Sequence, residues 1–532
     1  MGPDGAAISA DGRATWVGLG LKRREDPELL AGKGQFIGDL VRPGMLHAVF
    51  LRSPHPHARI RSIDVGRALA LPGVHAALTG RDLPATLRAQ PVTHVFTDRQ
   101  TPNYALARDR VRYVGEPVAM VAAESPYVAE DALDCIEVEW DPMPAVADVE
   151  AALRPDAPRL YDEWPDNIAG VFQTEMGDPD RALAEADVKI TERFRIQRQF
   201  ACPLEPRGVL AEWDVHRGEL VLWSSTQILH IARDCLAEVL GIPEHRIRVL
   251  VPRIGGAFGC KFHFYAEEVA IALLAQKARR PVRWLEDRLE SFVATVHARE
   301  QVVQATMAAK SDGTIIAVTA EILGDMGAHL HTVSYGPVWL TAVMMTNAYL
   351  IPNARVRARA IVTNKTPLGS FRGWGQPQAN FVVERLVDRL ARALHQDPAE
   401  LRRKNFIPPD RFPYKSLHHT FDSGDYEKCL DKALQVLDYG GWRERQAASR
   451  RQGRHVGIGL SFYVENTALG PSRMLNQGGV LQGGYDIARV RMEPSGDVTI
   501  YTGLCEMGQG FTNGIAQICA QTLGIDPEHI TV

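Results

Sequence analysis

The residues of this 532-residue chain whose types and spacing suit chemistry fall in three glycine-rich loops. Gly255-Gly256-Ala257-Phe258-Gly259 follows a β-type run, Ile247 to Val251, and precedes a helical stretch from Tyr265 to Arg279. Strand, glycine loop and helix in that order expose backbone N–H groups to an anion such as a pyrophosphate. The spacing is neither the G-x-G-x-x-G of a dinucleotide fold nor the G-K-[ST] of a P-loop, which weakens a nucleotide-binding reading. The second cluster, Gly369-Ser370-Phe371-Arg372-Gly373-Trp374-Gly375, sets one arginine among glycines just ahead of another helix. Its guanidinium could fork onto an anion beside the helix start. The third, Gly503-Leu504-Cys505-Glu506-Met507-Gly508-Gln509-Gly510, repeats the strand–loop–helix order. Ser224-Ser225-Thr226-Gln227 ends a further strand (Leu220 to Trp223) and offers Gln227 as a neutral donor and acceptor. Three such loops suggest one extended anionic ligand. The seven cysteines are dispersed, odd in number and never at C-x-x-C spacing, against both a disulfide framework and a cysteine-ligated metal. A reducing, cytoplasmic setting is expected, and any metal needs its ligands from a cofactor.

The elements that must position these loops read as mixed α/β. Residues 1–30 read as an irregular arm without a secretory signal's apolar core. From 31 to 148, β-rich runs (Leu46 to Phe50; Val118 to Ala122) alternate with short helical pieces, as in a compact α/β domain. Prolines at 142, 144, 155, 158 and 165 suit a linker over 149–165. The remainder, 166–532, forms a larger α/β unit. Within it, Val383, Leu386, Leu390 and Leu394 mark one face of a helix from Pro377 to His395. Asp397-Pro398 supplies the cap and first turn of the next helix. The apolar run from Val338 to Met345 is far shorter than the ~20 residues that span a bilayer and reads as core. With 60 Lys plus Arg against 64 Asp plus Glu, a net charge of -4, the chain lacks the basic excess of a nucleic-acid binder.

An internal repeat adds an organising fact: Leu240-Gly241-Ile242-Pro243-Glu244-His245-Arg246-Ile247 is echoed by Leu523-Gly524-Ile525-Asp526-Pro527-Glu528-His529-Ile530. Each follows an amphipathic helix whose left-handed cap wants glycine. The second copy, in a half that begins near 455, stops three residues into its strand. A unit cut there leaves an unpaired edge, so the chain is expected to be the front part of something larger, completed by a partner chain or lost by truncation.

Taken in this order, the motifs resemble the large subunit of the molybdenum hydroxylases, the family of xanthine dehydrogenase, aldehyde oxidase and aerobic carbon monoxide dehydrogenase. Gly32-Lys33-Gly34-Gln35-Phe36-Ile37-Gly38-Asp39 and Val114-Gly115-Glu116-Pro117-Val118-Ala119 look like its N-terminal hammerhead domain. The motifs after about residue 165 look like the front part of its molybdopterin-binding domain. The resemblance implies molybdenum held by a pterin dithiolene with no direct protein ligand, and the pterin in its cytosine dinucleotide form. Gln227 matches the glutamine that hydrogen-bonds an oxygen on molybdenum, Gly256, Phe258 and Gly259 the loop that approaches the metal, and Arg372 the arginine beside it. Gly508, Gln509 and Gly510 match a pterin-holding loop whose N–H groups and amide would meet polar and phosphate edges.

Departures narrow the implied substrate. Copper-containing carbon monoxide dehydrogenases carry a cysteine where this chain has Gly373, so that activity is disfavoured. Purine-oxidising members carry a glutamate where this chain has Phe262, and their substrate arginine has no counterpart near Leu340. The resemblance therefore implies a molybdenum-dependent hydroxylase. It would oxidise an aldehyde or an aromatic N-heterocycle with water-derived oxygen, Phe262 and Trp374 lining the substrate pocket. Electrons would pass to partner subunits carrying [2Fe-2S] clusters and FAD. No catalytic base is identified. The family's glutamate is expected beyond residue 532, on a C-terminal-half molybdopterin chain, and Glu205, Glu267 and Glu268 are the carboxylates nearest the motifs. The alternatives are a non-catalytic assembly module or remnant and, more weakly, a nucleotide-binding enzyme.

Overall fold

The computed structural model describes residues 7–8, 14–92, 99–467 and 486–532. Its central layer is a seven-stranded sheet in the order Ile247–Leu250, Glu219–Ser224, Gly208–Asp214, Val282–Leu285, Leu46–Arg52, Pro117–Ala123, Val74–Thr79. The sheet does not stop where the first unit ends. Leu46, His47 and Ala48 pair in parallel with Val282, Arg283 and Trp284, so strands from either side of the 149–165 segment share one ladder. Pro117–Ala123 is buried along its whole length, as a strand covered on both faces must be.

A second, five-stranded sheet runs Val188–Ile196, Gln301–Ala309, Ile315–Gly327, Asn353–Val362, Ile168–Met176. The helix Gln376–Ala393 lies on it with Val383, Leu386 and Leu390 buried, as the helical stripe requires. Asp397 caps the helix Pro398–Asn405, accepting from the N–H groups of Ala399 (2.8 Å) and Glu400 (3.4 Å); such a cap contributes about 1 kcal/mol. The run from Val338 is the buried helix Gly336–Val343. No described helix is long and apolar enough to cross a membrane.

The segments read as a linker and an irregular arm are both packed against the core. In the 149–165 stretch Val149, Ala152, Leu160, Tyr161 and Trp164 are buried in the core of the five-stranded sheet, and the Tyr161 hydroxyl donates to the Ala328 carbonyl (2.6 Å). Proline blocks regular structure without preventing burial, because side chains such as Asn167, which accepts from the Leu160 N–H (3.1 Å), satisfy the irregular backbone. In the arm, Trp16 is buried against Val498, Ile500, Ala516, Ala520 and Ile530. These belong to a three-stranded sheet, Ala488–Met492, Val498–Thr502 and Ile530–Thr531, with the helix Phe511–Leu523. The boundary expected near 455 falls in an extended stretch held to the preceding core, where Phe462 N–H donates to Glu384 (2.9 Å).

Candidate functional site

The two copies of the repeat share one plan: an antiparallel hairpin, a loop, a helix, a left-handed glycine, a single 3-10 turn and a strand parallel to the hairpin's second member. The glycines, Gly241 (φ 66, ψ 33) and Gly524 (φ 72, ψ 31), adopt nearly the same conformation. The loop of the second copy meets the glycine loop that follows the first: Cys505 is buried against Ile254 and Ala257. At that junction lies a cleft of about 770 Å³. The sheets thus deliver loops from four distant parts of the sequence to one place.

Gln227, Gly256, Phe258, Gly259, Phe262, Arg372, Trp374, Gly508 and Gln509 all line this cleft; Gly510 is not among its lining residues. Gln227 faces the glycine loop: its Oε1 accepts from the Gly259 N–H (3.1 Å), and its amide nitrogen donates to no group among the described residues. The Arg372 N–H donates to the Phe258 carbonyl (2.9 Å), tying the second loop to the first. A Cβ on Gly259 would lie 3.0 Å from the Ser370 carbonyl, and φ there is +102, so only glycine lets the loops approach this closely.

The cleft has the donors an anionic, multi-ring cofactor needs. Among the described residues the N–H groups of Gly256, Ala257 and Phe258 donate to nothing, and the alternation of positive φ at Gly256 (91) and Phe258 (53) turns such groups toward a common point. The Arg372 guanidinium has no acidic partner among the described residues; Phe258's ring centre lies 5.9 Å from it. Behind the loop, Arg299 donates to the carbonyls of Arg372 (2.5 Å) and Trp374 (3.4 Å) and to Gln378 (3.2 Å). Burial lowers its pKa to about 10, so it stays charged at neutral pH. Beside the cleft, a Cβ on Gly373 would come 2.6 Å from Pro377 Cγ with φ at +88, so no thiol fits there without strain.

The third loop departs from expectation. The N–H groups of Gly508 (3.0 Å) and Gly510 (3.2 Å) donate to Glu506 Oε1, and Thr512 N–H (3.1 Å) to its Oε2. The Gln509 amide also turns inward, its Nε2 donating to the Cys505 carbonyl (2.9 Å) and its Oε1 accepting from Met507 N–H (2.7 Å). The loop carries its own anion, and these donors are engaged within it. Burial would raise the Glu506 pKa, but the N–H groups of Thr512, Gly510 and Gly508 outweigh it and hold it low. Trp374 lines the cleft with its indole wedged on Gly336, where a Cβ would fall 1.7 Å from Cζ2.

None of the carboxylates near the motifs is placed as a base. Glu205 accepts from Gly255 N–H (2.7 Å) and pairs with Lys261 (3.0 Å), bracing the first loop. Burial would raise the pKa of Glu267, yet Arg207 and Arg52 override it and lower it to about 2. Glu268 is buried behind the cleft. Sequence reasoning missed the arm's part: Arg23, Glu25 and Leu29 line the cleft, and Arg23 Nη1 donates to the Gly508 carbonyl (2.7 Å). A contact across 485 residues leaves no local signal.

Comparison with known proteins gives three family matches: the a/b hammerhead domain of aldehyde oxidase and xanthine dehydrogenase over residues 31–144, and molybdopterin cofactor-binding domains over 160–406 and 432–532. The chain is 36% identical to the nicotine 6-hydroxylase large subunit of Paenarthrobacter nicotinovorans over 97% of its own length and 63% of the relative's. It is likewise 36% identical to the carbon monoxide dehydrogenase large chain of Afipia carboxidovorans, over 98% of its own length and 67% of the relative's. The solved quinoline 2-oxidoreductase of Pseudomonas putida 86 superposes with a TM-score of 0.93 at 36% identity, covering 99% of this chain and 67% of that one. The chain thus spans a little under two thirds of the nicotine 6-hydroxylase large subunit.

Proposed function

Because the chain belongs to the molybdenum hydroxylase family of xanthine dehydrogenase and aldehyde oxidase, as a molybdopterin-binding large subunit, we propose that it serves an oxidoreductase that hydroxylates an aromatic N-heterocycle. The observation that carries this reading is the convergence of Gln227, Phe258, Gly259 and Arg372 on one cleft walled by Leu29, Phe36, Leu204, Phe262 and Phe371. A flat, weakly polar ring suits such walls, whereas a purine's polar edges would lose partners at ~1–3 kcal/mol each. An aldehyde is the second candidate for the same walls. Gly373 offers no thiolate for copper, against a carbon monoxide dehydrogenase-like activity.

The bound pterin supplies a molybdenum centre that oxidises substrate with oxygen from water. The chain's own residues hold and orient it. The N–H groups of Gly256 to Phe258 and the Arg372 guanidinium meet its anionic groups, and the Gln227 amide nitrogen is free to donate into the cleft. Phe258 and Phe262 exclude water from the apolar wall. The proton acceptor is assigned to a residue outside those described. Electrons leave through partner subunits carrying [2Fe-2S] and FAD, and the cytosine dinucleotide is the form of pterin proposed.

The complex purified from its native source tests this. It should carry about one molybdenum per chain, release a cytosine nucleotide on acid hydrolysis, and oxidise quinoline- or pyridine-type rings in preference to carbon monoxide. A native complex without molybdenum would overturn the assignment.

A further inference from the structure

Behind the cleft, enclosed between the Gln227 strand end, the first glycine loop and the start of the helix Ala266–Ala278, lies a second, much smaller cavity of about 10 Å³. Its walls are polar: Arg207, Ser224, Ser225, Thr226, Lys261, His263, Tyr265 and Glu268. Most of these groups are satisfied. Arg207 is bonded to Glu267 and Glu286, Lys261 to Glu205, and the Tyr265 hydroxyl donates to the Cys260 carbonyl. His263 is different. It is 1% exposed, and its Nε2 accepts from the Ser370 N–H (2.8 Å) with the Ser370 hydroxyl also near (3.2 Å). A ring nitrogen that accepts from a backbone N–H carries no proton, so in the neutral ring the proton sits on Nδ1. That Nδ1 is buried with no protein partner. Across the cavity, Glu268 accepts from Ser224 Oγ (3.3 Å) and Tyr265 N–H (3.0 Å), leaving acceptor capacity unused.

We propose that this cavity holds one ordered water, which accepts from His263 Nδ1–H and donates to Glu268, and that His263 is thereby the positioning residue that fixes the Ser370–Arg372 turn against the first glycine loop. The volume is about that of one water, and a buried water needs two to four polar partners, which His263, Glu268 and the Ser225 hydroxyl supply. The chain of contacts runs water, His263, Ser370 N–H, Arg372, and so reaches the cleft wall without touching a ligand. It holds only while the imidazole is neutral, since a second proton would set Nε2–H against Ser370 N–H. Burial, reinforced by His331, keeps the His263 pKa well below the usual imidazole range. Burial also pushes the Glu268 pKa up to about 7.

The water stands on geometry alone, whereas the positioning role rests on the function proposed above, so the two parts are tested separately. In a crystal structure of the purified complex that resolves ordered solvent, one water should lie within hydrogen-bond distance of both His263 Nδ1 and Glu268. An empty cavity, or a protein acceptor on Nδ1, overturns the site whatever the cofactor. For the positioning role, molybdenum per folded chain is measured in His263→Leu and His263→Gln. Glutamine can accept from Ser370 with its oxygen and donate into the cavity with its nitrogen. His263→Leu should lose about tenfold in retained metal, the scale of a lost supporting hydrogen bond, and His263→Gln no more than about twofold. Equal retention in wild type and His263→Leu, or equal loss in both variants, removes the positioning role. Wild type without molybdenum would instead strike at the proposed function, leaving the water site to be judged on density.

Discussion

The two copies of the helix–glycine–strand unit match in local geometry and differ in what surrounds them. In the first, the strand Gly208–Asp214 is flanked on both edges, and the helix Leu229–Leu240 buries Ala232, Cys235, Leu236 and Val239. In the second, Ala488–Met492 is exposed at every residue and has a neighbour on one edge only among the described residues, with Val490 and Met492 open to solvent. The contrast extends to the loops. The short loop of the first copy leaves the Gln227 amide nitrogen free for a ligand, while the long loop of the second closes on its own Glu506. Chain chemistry is therefore repeated, but the environment decides which copy is rigid and which loop is receptive.

The largest consequence concerns local stability. Amide hydrogens of Arg489 to Arg491 should exchange about a thousandfold faster than those of Leu210 to Glu212, as a ~4 kcal/mol difference in opening free energy would give. Equal protection in hydrogen-exchange mass spectrometry would mean that the neighbouring strands do not distinguish the copies. Next in size is the ion network under the first copy, where Arg207 is held by Glu267 (3.0 Å) and Glu286 (2.6 Å) and is nearly fully buried. Arg207→Met leaves the buried Glu286 without its cation and Glu267 with Arg52 alone, and should cost about 3–5 kcal/mol in urea unfolding. A loss below 1 kcal/mol would show that the network is not what stiffens this half.

A smaller effect is expected at Glu506. Its folded-state pKa is depressed, so its contribution is present above the unfolded carboxylate value near 4.5 and disappears as pH falls through the lower folded value. Because the group is only half-buried, Glu506→Gln should cost no more than about 1 kcal/mol at pH 7 and progressively less as pH falls below the unfolded value. A pH-independent difference would contradict the self-filled loop. The smallest test sharpens the likeness itself. Gly241→Ala and Gly524→Ala meet open space and the same left-handed strain, so each should cost about 1 kcal/mol and the two should agree within error. Unequal costs would show that the copies differ even locally.

Much of the fold was legible because it rests on local rules. The stripe of Val383, Leu386 and Leu390, the cap at Asp397 and the glycines ending two helices are each set by a few neighbouring residues. The burial of the 149–165 segment and the arm was not legible because proline and charge report on regular structure, not on burial: Trp16 meets Gln521 and Tyr161 meets Ala328, 505 and 167 residues away. At the site, Gln227, Phe258, Gly259 and Arg372 were legible as residue types in order. The inward turn of Gln509 was not, since an amide's direction depends on which backbone groups the folded loop leaves unpaired.

By itself, then, the sequence determined the kinds of element, the family and the order of the motifs, since these follow from periodicity, capping and residue type. Tertiary structure alone decided which of the motif residues face the cleft, that the N-terminal arm helps to wall it, and that His263 holds one loop to another. Those outcomes depend on distances between segments far apart in the chain, where burial and hydrogen-bond satisfaction are settled only when all of them are packed at once.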